Sequence, residues 1–148
     1  MKKIRVALWG LGAMGSGMAR LVLEKEGLEL AGGIDVRPDY VGKDLGEVLG
    51  LGRALGMTVT NDPSTLLHDE KVDLVVIATT SWMKEQMPDL RRILTAGVDC
   101  ISIAEEMAVP EAQSPELAAE IDALAKANGV TVLGTGVNPG FVLDLLVI

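Results

Sequence analysis

The sequence is poor in aromatic residues, cysteine and histidine. Aromatic side chains make up 3% of its 148 residues, and there is one histidine and one cysteine, Cys100. A single cysteine excludes a disulfide within the chain and suits a reducing compartment, so we expect a cytoplasmic protein. With so few aromatic side chains, the core has to be built from Val, Leu, Ile, Ala and Met.

The sequence also lacks long apolar runs and an excess of positive charge. No run approaches the roughly 18 apolar residues that a membrane-spanning helix needs. Lys and Arg number 13 against 21 Asp and Glu, and the net charge of −8 argues against a nucleic-acid or anionic-membrane partner. The basic start Met1-Lys2-Lys3 precedes a run of only strand length, so we predict no signal peptide. We assign no metal ligands.

Glycine is plentiful by contrast, and three glycines form a G-x-G-x-x-G pattern directly after the apolar stretch 4–9. In this pattern Gly10 permits a sharp turn, Gly12 permits close approach of a pyrophosphate, and Gly15 permits helix–sheet packing. The following helix would offer free N–H groups to the phosphates. The pattern predicts a dinucleotide site at Gly10, Leu11, Gly12, Ala13, Met14 and Gly15.

An acidic residue stands where this fingerprint requires one. Asp35 ends a second apolar run, 20 residues after Gly15, and would accept hydrogen bonds from the adenosine ribose. Arg37 lies two residues further on, where its guanidinium would hold the 2′-phosphate of NADP or lie in solvent. Asp35 favours NAD and Arg37 allows NADP, so we expect use of either cofactor with a lean towards NAD.

Strand-like and helix-like segments alternate along the chain. This alternation predicts an α/β, doubly wound Rossmann fold: a six-stranded, mostly parallel sheet with helices on both faces, in the order 3-2-1-4-5-6. The predicted strands are 4–9, 28–34, 57–60, 72–78, 98–103 and 130–133. The predicted helices cover 13–25, 62–68, a segment that starts or bends at Pro88 and continues to 96, and 114–128. We expect residues 1–140 to form an NAD(P)-binding domain and 141–148 to begin a hinge.

Ligands on such sheets bind beyond the carboxyl ends of the strands. Three predicted loops of small or polar residues follow the fourth, fifth and sixth strands. We therefore expect all three loops to approach the ligand: the loop with Ala78, Thr79 and Thr80 lies beside the expected nicotinamide end, and the other two loops contain Glu105 and Asn138. Glu105 would steady a substrate amine, act as a base, or lie in solvent.

These motifs resemble the N-terminal cofactor domain of the dihydrodipicolinate reductase-like oxidoreductases. The stretches that carry the resemblance are the glycine loop, Val41-Gly42-Lys43-Asp44-Leu45-Gly46, Ile103-Ala104-Glu105-Glu106 and, most specifically, 134–141 with the sequence Gly-Thr-Gly-Val-Asn-Pro-Gly-Phe. The resemblance implies oxidative deamination of a small-molecule amine or amino acid with NAD or NADP. It also implies that Glu105 and Asn138 border the reacting carbon.

Members of that family continue past the hinge into a second domain that binds the amine and supports oligomerisation. The last residues here, 141–143 and 145–148, form an apolar end that nothing in the sequence covers. We therefore expect this chain to be part of a longer, homo-oligomeric protein and to be inactive alone.

Two other functions stay open at this point. The run from Gly10 to Ala19 also resembles the start of 3-hydroxyacid dehydrogenases, although the later loops fit that family poorly. The third hypothesis is a non-catalytic nucleotide-sensing module. Tight cofactor binding, together with a well-covered C-terminus and a partner protein, would favour it.

Overall fold

The computed structural model describes residues 2–68 and 71–146, and the chain divides into two compact units, Met1–Ala78 and Thr79–Ile148. Met1 and the last two residues of the predicted apolar end, Val147 and Ile148, lie outside the described residues. Within the described ranges, no helix is long and apolar enough to cross a membrane.

The first unit is built on three parallel strands. Strand β1 (Ile4–Trp9) lies between β2 (Leu28–Ile34) and β3 (Leu74–Ile77). The residues of β1 from Val6 to Trp9 are apolar and all buried, as expected for a strand that is covered on both faces. The predicted bounds of β1 and β2 are confirmed, and β3 is shorter than predicted.

An ion pair joins the start of β1 to the residue before β3. The Asp73 carboxylate accepts hydrogen bonds from the Arg5 backbone N at 2.8 Å, Nε at 2.9 Å and Nη2 at 2.8 Å. These hydrogen bonds hold the pKa of Asp73 well below its usual range. The two-pronged guanidinium contact fixes where these two chain segments lie next to each other.

The predicted strand 57–60 is wrong, and the described residues contain five strands rather than six. Residues 57–60 make only isolated bridges, from Thr60 to Ile34 and from Thr58 to Asp44. The reason lies in the preceding segment, which folds back on them: Leu45 N donates to Met57 O at 2.7 Å, and Gly42 N donates to Val59 O at 2.9 Å.

Asp44 holds this irregular segment together. Its carboxylate accepts from the backbone N–H groups of Gly46, Leu55 and Gly56 at 2.7–2.9 Å. It thereby caps the short helix α2 (Leu45–Val48) and closes the loop that follows. The remaining helices of the first unit are α1 (Ala13–Glu24) and α3 (Ser64–Leu67).

The second unit contains the parallel pair β4 (Asp99–Ser102) and β5 (Val132–Gly134). Its α-helices are α4 (Met83–Thr95), α5 (Pro110–Gln113) and α6 (Pro115–Asn128), with a 3-10 helix over Glu105–Met107. A last helical segment, Val137–Leu145, contains non-helical backbone at Asn138. Phe141 and Leu146 are exposed, as the predicted apolar end implies.

Helix α4 begins five residues before Pro88, so the alternative that the helix starts at this proline is wrong. Two features offset the hydrogen bond that the proline removes. The Glu106 carboxylate accepts from Met83 N at 2.8 Å and so caps the helix from another segment. Met83, Met87 and Leu90 are also buried on one face, and their packing stabilises the helix across the proline.

Helix α6 follows its sequence signals closely. The Ser114 side chain caps it by accepting from Leu117 N at 3.4 Å, Pro115 occupies the first turn, and Gly129 ends it in the left-handed conformation at φ 67°. Buried Ala118 and Ile121 lie on the apolar face of the helix.

Candidate functional site

The glycine turn follows β1 directly and has the geometry that a phosphate loop needs. Gly10 has a φ of 94°, which disfavours other residues, and its N–H donates to Ile34 O at 2.8 Å. A Cβ at Gly15 would overlap the Gly10 carbonyl, whereas a Cβ at Gly12 would meet nothing within 4 Å. Gly15 is therefore required for close packing of the turn on α1, and Gly12 borders open space.

The N-terminus of α1 has free hydrogen-bonding capacity. Gly12 is its N-cap and offers no side chain, and the first turn carries no acidic residue. The first hydrogen bond into the helix is donated by Ser16 N to Gly12 O, so the N–H groups of Ala13, Met14 and Gly15 have no partner within the helix. Such an N-terminus suits an anion.

Asp35 is buried and lies against this turn. Its Oδ2 accepts from Leu11 N at 2.7 Å and from Arg37 Nη2 at 2.8 Å, while Oδ1 accepts from Arg37 N at 2.9 Å and Nε at 3.0 Å. Four donors thus occupy a carboxylate that has about four acceptor positions. A ribose hydroxyl would have to displace one of these donors.

The same hydrogen bonds lower the pKa of Asp35. Burial of the carboxyl raises the pKa, but the hydrogen bonds from Arg37 and Leu11 outweigh burial and lower it from 3.8 to about 2. The Arg37 guanidinium also lies 3.7 Å from the centroid of the Tyr40 ring, at cation–π distance. Arg37 is therefore held by a carboxylate and by an aromatic ring.

The other candidates of the first unit have simpler environments. The Leu11 N–H is used by Asp35 and its side chain is buried, whereas the Met14 side chain is half exposed. Ala78 N donates to Trp9 O at 2.7 Å, and a Cβ added at Gly15 would lie 3.6 Å from the Cβ of Ala78. The first unit thus brings the glycine turn, Asp35 and Ala78 together.

In the second unit, two predicted loops are bound to each other. The Ser81 hydroxyl donates to the Glu105 carboxylate and lowers the pKa of Glu105, and Glu106 N donates to Ser81 O at 3.3 Å. Thr80 Oγ1 donates to Glu85 Oε2 at 2.5 Å. Thr80 and Glu105 therefore lie on adjoining loops.

Thr79 and Asn138 are exposed, and Asn138 lies in the last helical segment with extended backbone, at φ −131° and ψ 115°. Contacts between these residues and a ligand stay predictions. The side chain of Asp144, which the sequence left as a paired or exposed acid, lies outside the described residues.

Sequence reasoning missed two buried polar residues of this unit, Gln86 and Ser102. Both are 0% exposed and are hydrogen-bonded to each other. The sequence did contain a signal for each of them. Gln86 is a polar residue on the apolar stripe of α4, and Ser102 is a polar residue within an apolar strand. No group of three or more His, Cys, Asp and Glu among residues 2–68 and 71–146 could hold a metal ion.

Comparison with known proteins identifies relatives along the whole chain. Residues 4–76 match the family described as dihydrodipicolinate reductase, N-terminus. The chain is 40% identical to 2,4-diaminopentanoate dehydrogenase of Acetoanaerobium sticklandii, with 100% of this chain and 42% of that protein aligned. It is 30% identical to an amine dehydrogenase of Streptomyces virginiae, over 97% of this chain and 40% of the relative.

A solved structure gives the same result. The amine dehydrogenase from Mycobacterium smegmatis superposes with a TM-score of 0.85 at 44% identity, covering 90% of this chain and 39% of that one. The chain thus spans about two fifths of the length of these relatives. The fold is a Rossmann-like parallel α/β fold with five described strands, and residues 4–76 are similar to the N-terminal domain of dihydrodipicolinate reductase.

Proposed function

We propose that this chain is the NAD(P)-binding part of an amine or amino-acid dehydrogenase that deaminates its substrate oxidatively. The observation that carries the proposal is the glycine turn, where Gly12 borders open space beside the uncapped N-terminus of α1. The similarity to two amine-oxidising dehydrogenases supports the choice of substrate class.

The residues of the first unit fit a dinucleotide. The amide N–H groups of Ala13 and Met14 would bind the pyrophosphate, and the helix dipole would add a favourable partial charge. A side chain at Gly12 would fill the space that the pyrophosphate needs, since a Cβ there meets no protein atom within 4 Å. This fit is typical of a built phosphate site rather than a tight turn alone.

The adenosine end of the site supports use of both cofactors. In NADP the 2′-phosphate would bind the Arg37 guanidinium, because bidentate guanidinium pairs suit phosphate. In NAD the ribose hydroxyls would donate to Asp35, and Arg37 would first have to release one of its oxygens. We therefore propose that the Asp35–Arg37 pair sets the balance between the two cofactors.

The nicotinamide, when bound, would accept a hydride from the carbon that bears the amine, and water would convert the resulting substrate imine to a carbonyl compound and ammonium. Glu105 is exposed and its pKa is lowered by Ser81, so it is ionised at neutral pH. A carboxylate of this kind would bind a substrate ammonium group by charge, and the substrate would react as the neutral amine after its ammonium proton passes to water at this exposed position. Asn138 would border the same carbon with its amide.

Several finer statements belong to this proposal. Residues 1–140 would form the cofactor domain, and 141–148 would lead into a substrate domain of the kind that the family possesses. The small-molecule amine or amino acid would bind there, in a cytoplasmic homo-oligomer.

Titration calorimetry with NADH and NADPH tests the proposal on this chain, and Gly12→Val is the diagnostic variant. We expect the unmodified chain to bind at least one of the two and Gly12→Val to bind neither. Gly17→Ala is the control, because Gly17 lies within α1 and an added Cβ there, like one at the N-cap Gly12, would meet nothing within 4 Å. Equal binding by the unmodified chain and Gly12→Val would contradict the assigned site.

The amine specificity needs a separate assay, in which reduction of NAD(P) by a chain that includes the substrate domain is followed by absorbance. Substrates would include 2,4-diaminopentanoate, simple amines and a 3-hydroxyacid. We expect turnover with an amine and release of ammonium. Turnover with the 3-hydroxyacid alone would replace the proposed reaction with alcohol oxidation.

A further inference from the structure

A fully buried amide lies on the apolar face of α4. Gln86 is 0% exposed, and its helix neighbours Met83, Met87 and Leu90 are buried with it. An amide in such surroundings destabilises the fold unless both its donor and its acceptor are bonded. The contacts of Gln86 therefore need an explanation.

Those contacts form a relay in one direction. Ala104 N donates to Ser102 Oγ at 3.1 Å, Ser102 Oγ donates to Gln86 Oε1 at 2.6 Å, and Gln86 Nε2 donates to Thr80 O at 3.1 Å. Ser102 is also 0% exposed. Turning the Gln86 amide over would set its oxygen against the Thr80 carbonyl, so only one orientation satisfies every group.

The two ends of the relay lie in two loops: the loop that we expect from the sequence to meet the nicotinamide, and the loop that the proposed function assigns to the substrate amine. One end is the carbonyl of Thr80, and the other is the N–H of Ala104, directly before Glu105. The same loops are joined at their surface by Glu106 N to Ser81 O. The relay therefore fixes, from inside the unit, the backbone that carries the site residues.

We propose that Gln86 and Ser102 are positioning residues of the dehydrogenase site, acting through the backbone of Thr80 and Ala104. This inference rests on the proposed function, because it takes the two loops to be those that meet the nicotinamide and the amine. An apolar pair would fill the same volume, but it would leave the loops without a fixed orientation.

The test uses Gln86→Met, which keeps the length of the side chain and removes its hydrogen bonds, together with Ser102→Ala and the double variant. Hydrogen exchange is measured at the amide of Ala104. We expect faster exchange in both single variants and little further change in the double variant, because each substitution breaks the same relay. Ile93→Val, at a buried apolar position of the same helix, should leave this exchange rate unchanged.

Binding of ADP-ribose and of NAD(P)H then separates positioning from general stability. ADP-ribose lacks the nicotinamide, so its affinity should be unchanged in Gln86→Met, whereas NAD(P)H should bind about tenfold more weakly, a typical coupling within one network. Equal losses for both ligands, or no loss for either, would overturn the positioning role. If the unmodified chain bound neither ligand, the proposed function itself would fail.

Discussion

Arg37 bonds both carboxylate oxygens of Asp35, from Nε to Oδ1 at 3.0 Å and from Nη2 to Oδ2 at 2.8 Å. The carboxylate that would select NAD is therefore occupied by the guanidinium that would select NADP. Any change at one residue alters the availability of the other. The preference for NAD through Asp35 and the preference for NADP through Arg37 therefore depend on each other.

Substitution of these two residues should shift cofactor preference in opposite directions. Arg37→Ala should weaken NADPH binding by about 1.5–3 kcal/mol, the value of a charged hydrogen bond, and leave NADH binding unchanged or stronger. Asp35→Ala should weaken NADH more than NADPH, because a ribose acceptor is lost. Calorimetric titration of both cofactors measures the ratio.

Lys25→Ala provides the control for a lost positive charge, since Lys25 is the exposed C-cap of α1, at the opposite end of the helix from the glycine turn. It should change neither affinity. An unchanged NADPH affinity in Arg37→Ala would remove Arg37 from the proposed site.

Stability should depend on pH through Asp35 in a defined window. The pKa of Asp35 is lowered from 3.8 to about 2 in the folded chain, so its contacts stabilise the fold fully above about pH 4, and this contribution is lost as the pH falls towards 2. The contribution amounts to about 2 kcal/mol. Urea unfolding of the unmodified chain and Asp35→Asn, measured from pH 7 to pH 2.5, should show a constant difference that shrinks below pH 4. A difference independent of pH would contradict this assignment.

The three glycines should separate folding from binding. Gly15→Ala should destabilise the fold by about 1–3 kcal/mol or more, because the added carbon overlaps the Gly10 carbonyl. Gly12→Val should change the free energy of unfolding by no more than about 1 kcal/mol, the scale of an N-cap effect. Gly17→Ala should stabilise α1 by up to about 1 kcal/mol. Thermal unfolding of the three variants gives this order, and a strongly destabilised Gly12→Val would contradict the open space described there.

The single thiol should be unreactive in the folded protein. Cys100 is buried in β4, and burial raises its pKa to about 12, so almost no thiolate exists at neutral pH. A thiol reagent should modify it only as fast as the second unit opens. Labelling should become rapid in denaturing urea, and rapid labelling under native conditions would show that β4 is more accessible than its burial indicates.

Local signals predicted the elements whose stability is local. Helix α6 has its capping serine and terminal glycine, and β1 and β2 are apolar runs that end in turn residues, so their bounds could be predicted within a residue or two. The strand at 57–60 could not be excluded, because its competitor for hydrogen bonds is the irregular loop closed by Asp44. The continuation of α4 through Pro88 depends on Glu106, a residue distant in sequence.

The candidate site shows the same division. The glycine turn and Asp35 follow a spacing rule, so the sequence alone could predict that they lie next to each other, as the hydrogen bond from Leu11 N to Asp35 shows they do. The relay through Gln86 and Ser102 was not found, because a buried glutamine has no spacing rule and its partners are set by packing. The saturation of Asp35 by Arg37 is likewise a matter of side-chain geometry that no pattern records.

The chain has two tryptophans, and each of its two units contains one of them. Trp9 is 5% exposed at the end of β1, and Trp82 is 56% exposed at the start of α4. Trp9 should therefore emit at a shorter wavelength than Trp82. Replacing one tryptophan with phenylalanine leaves the other as a fluorescent reporter of its own unit. Fluorescence can thus follow the first unit, which contains the glycine turn, and the second unit, which contains the relay, separately as the chain unfolds or binds a ligand.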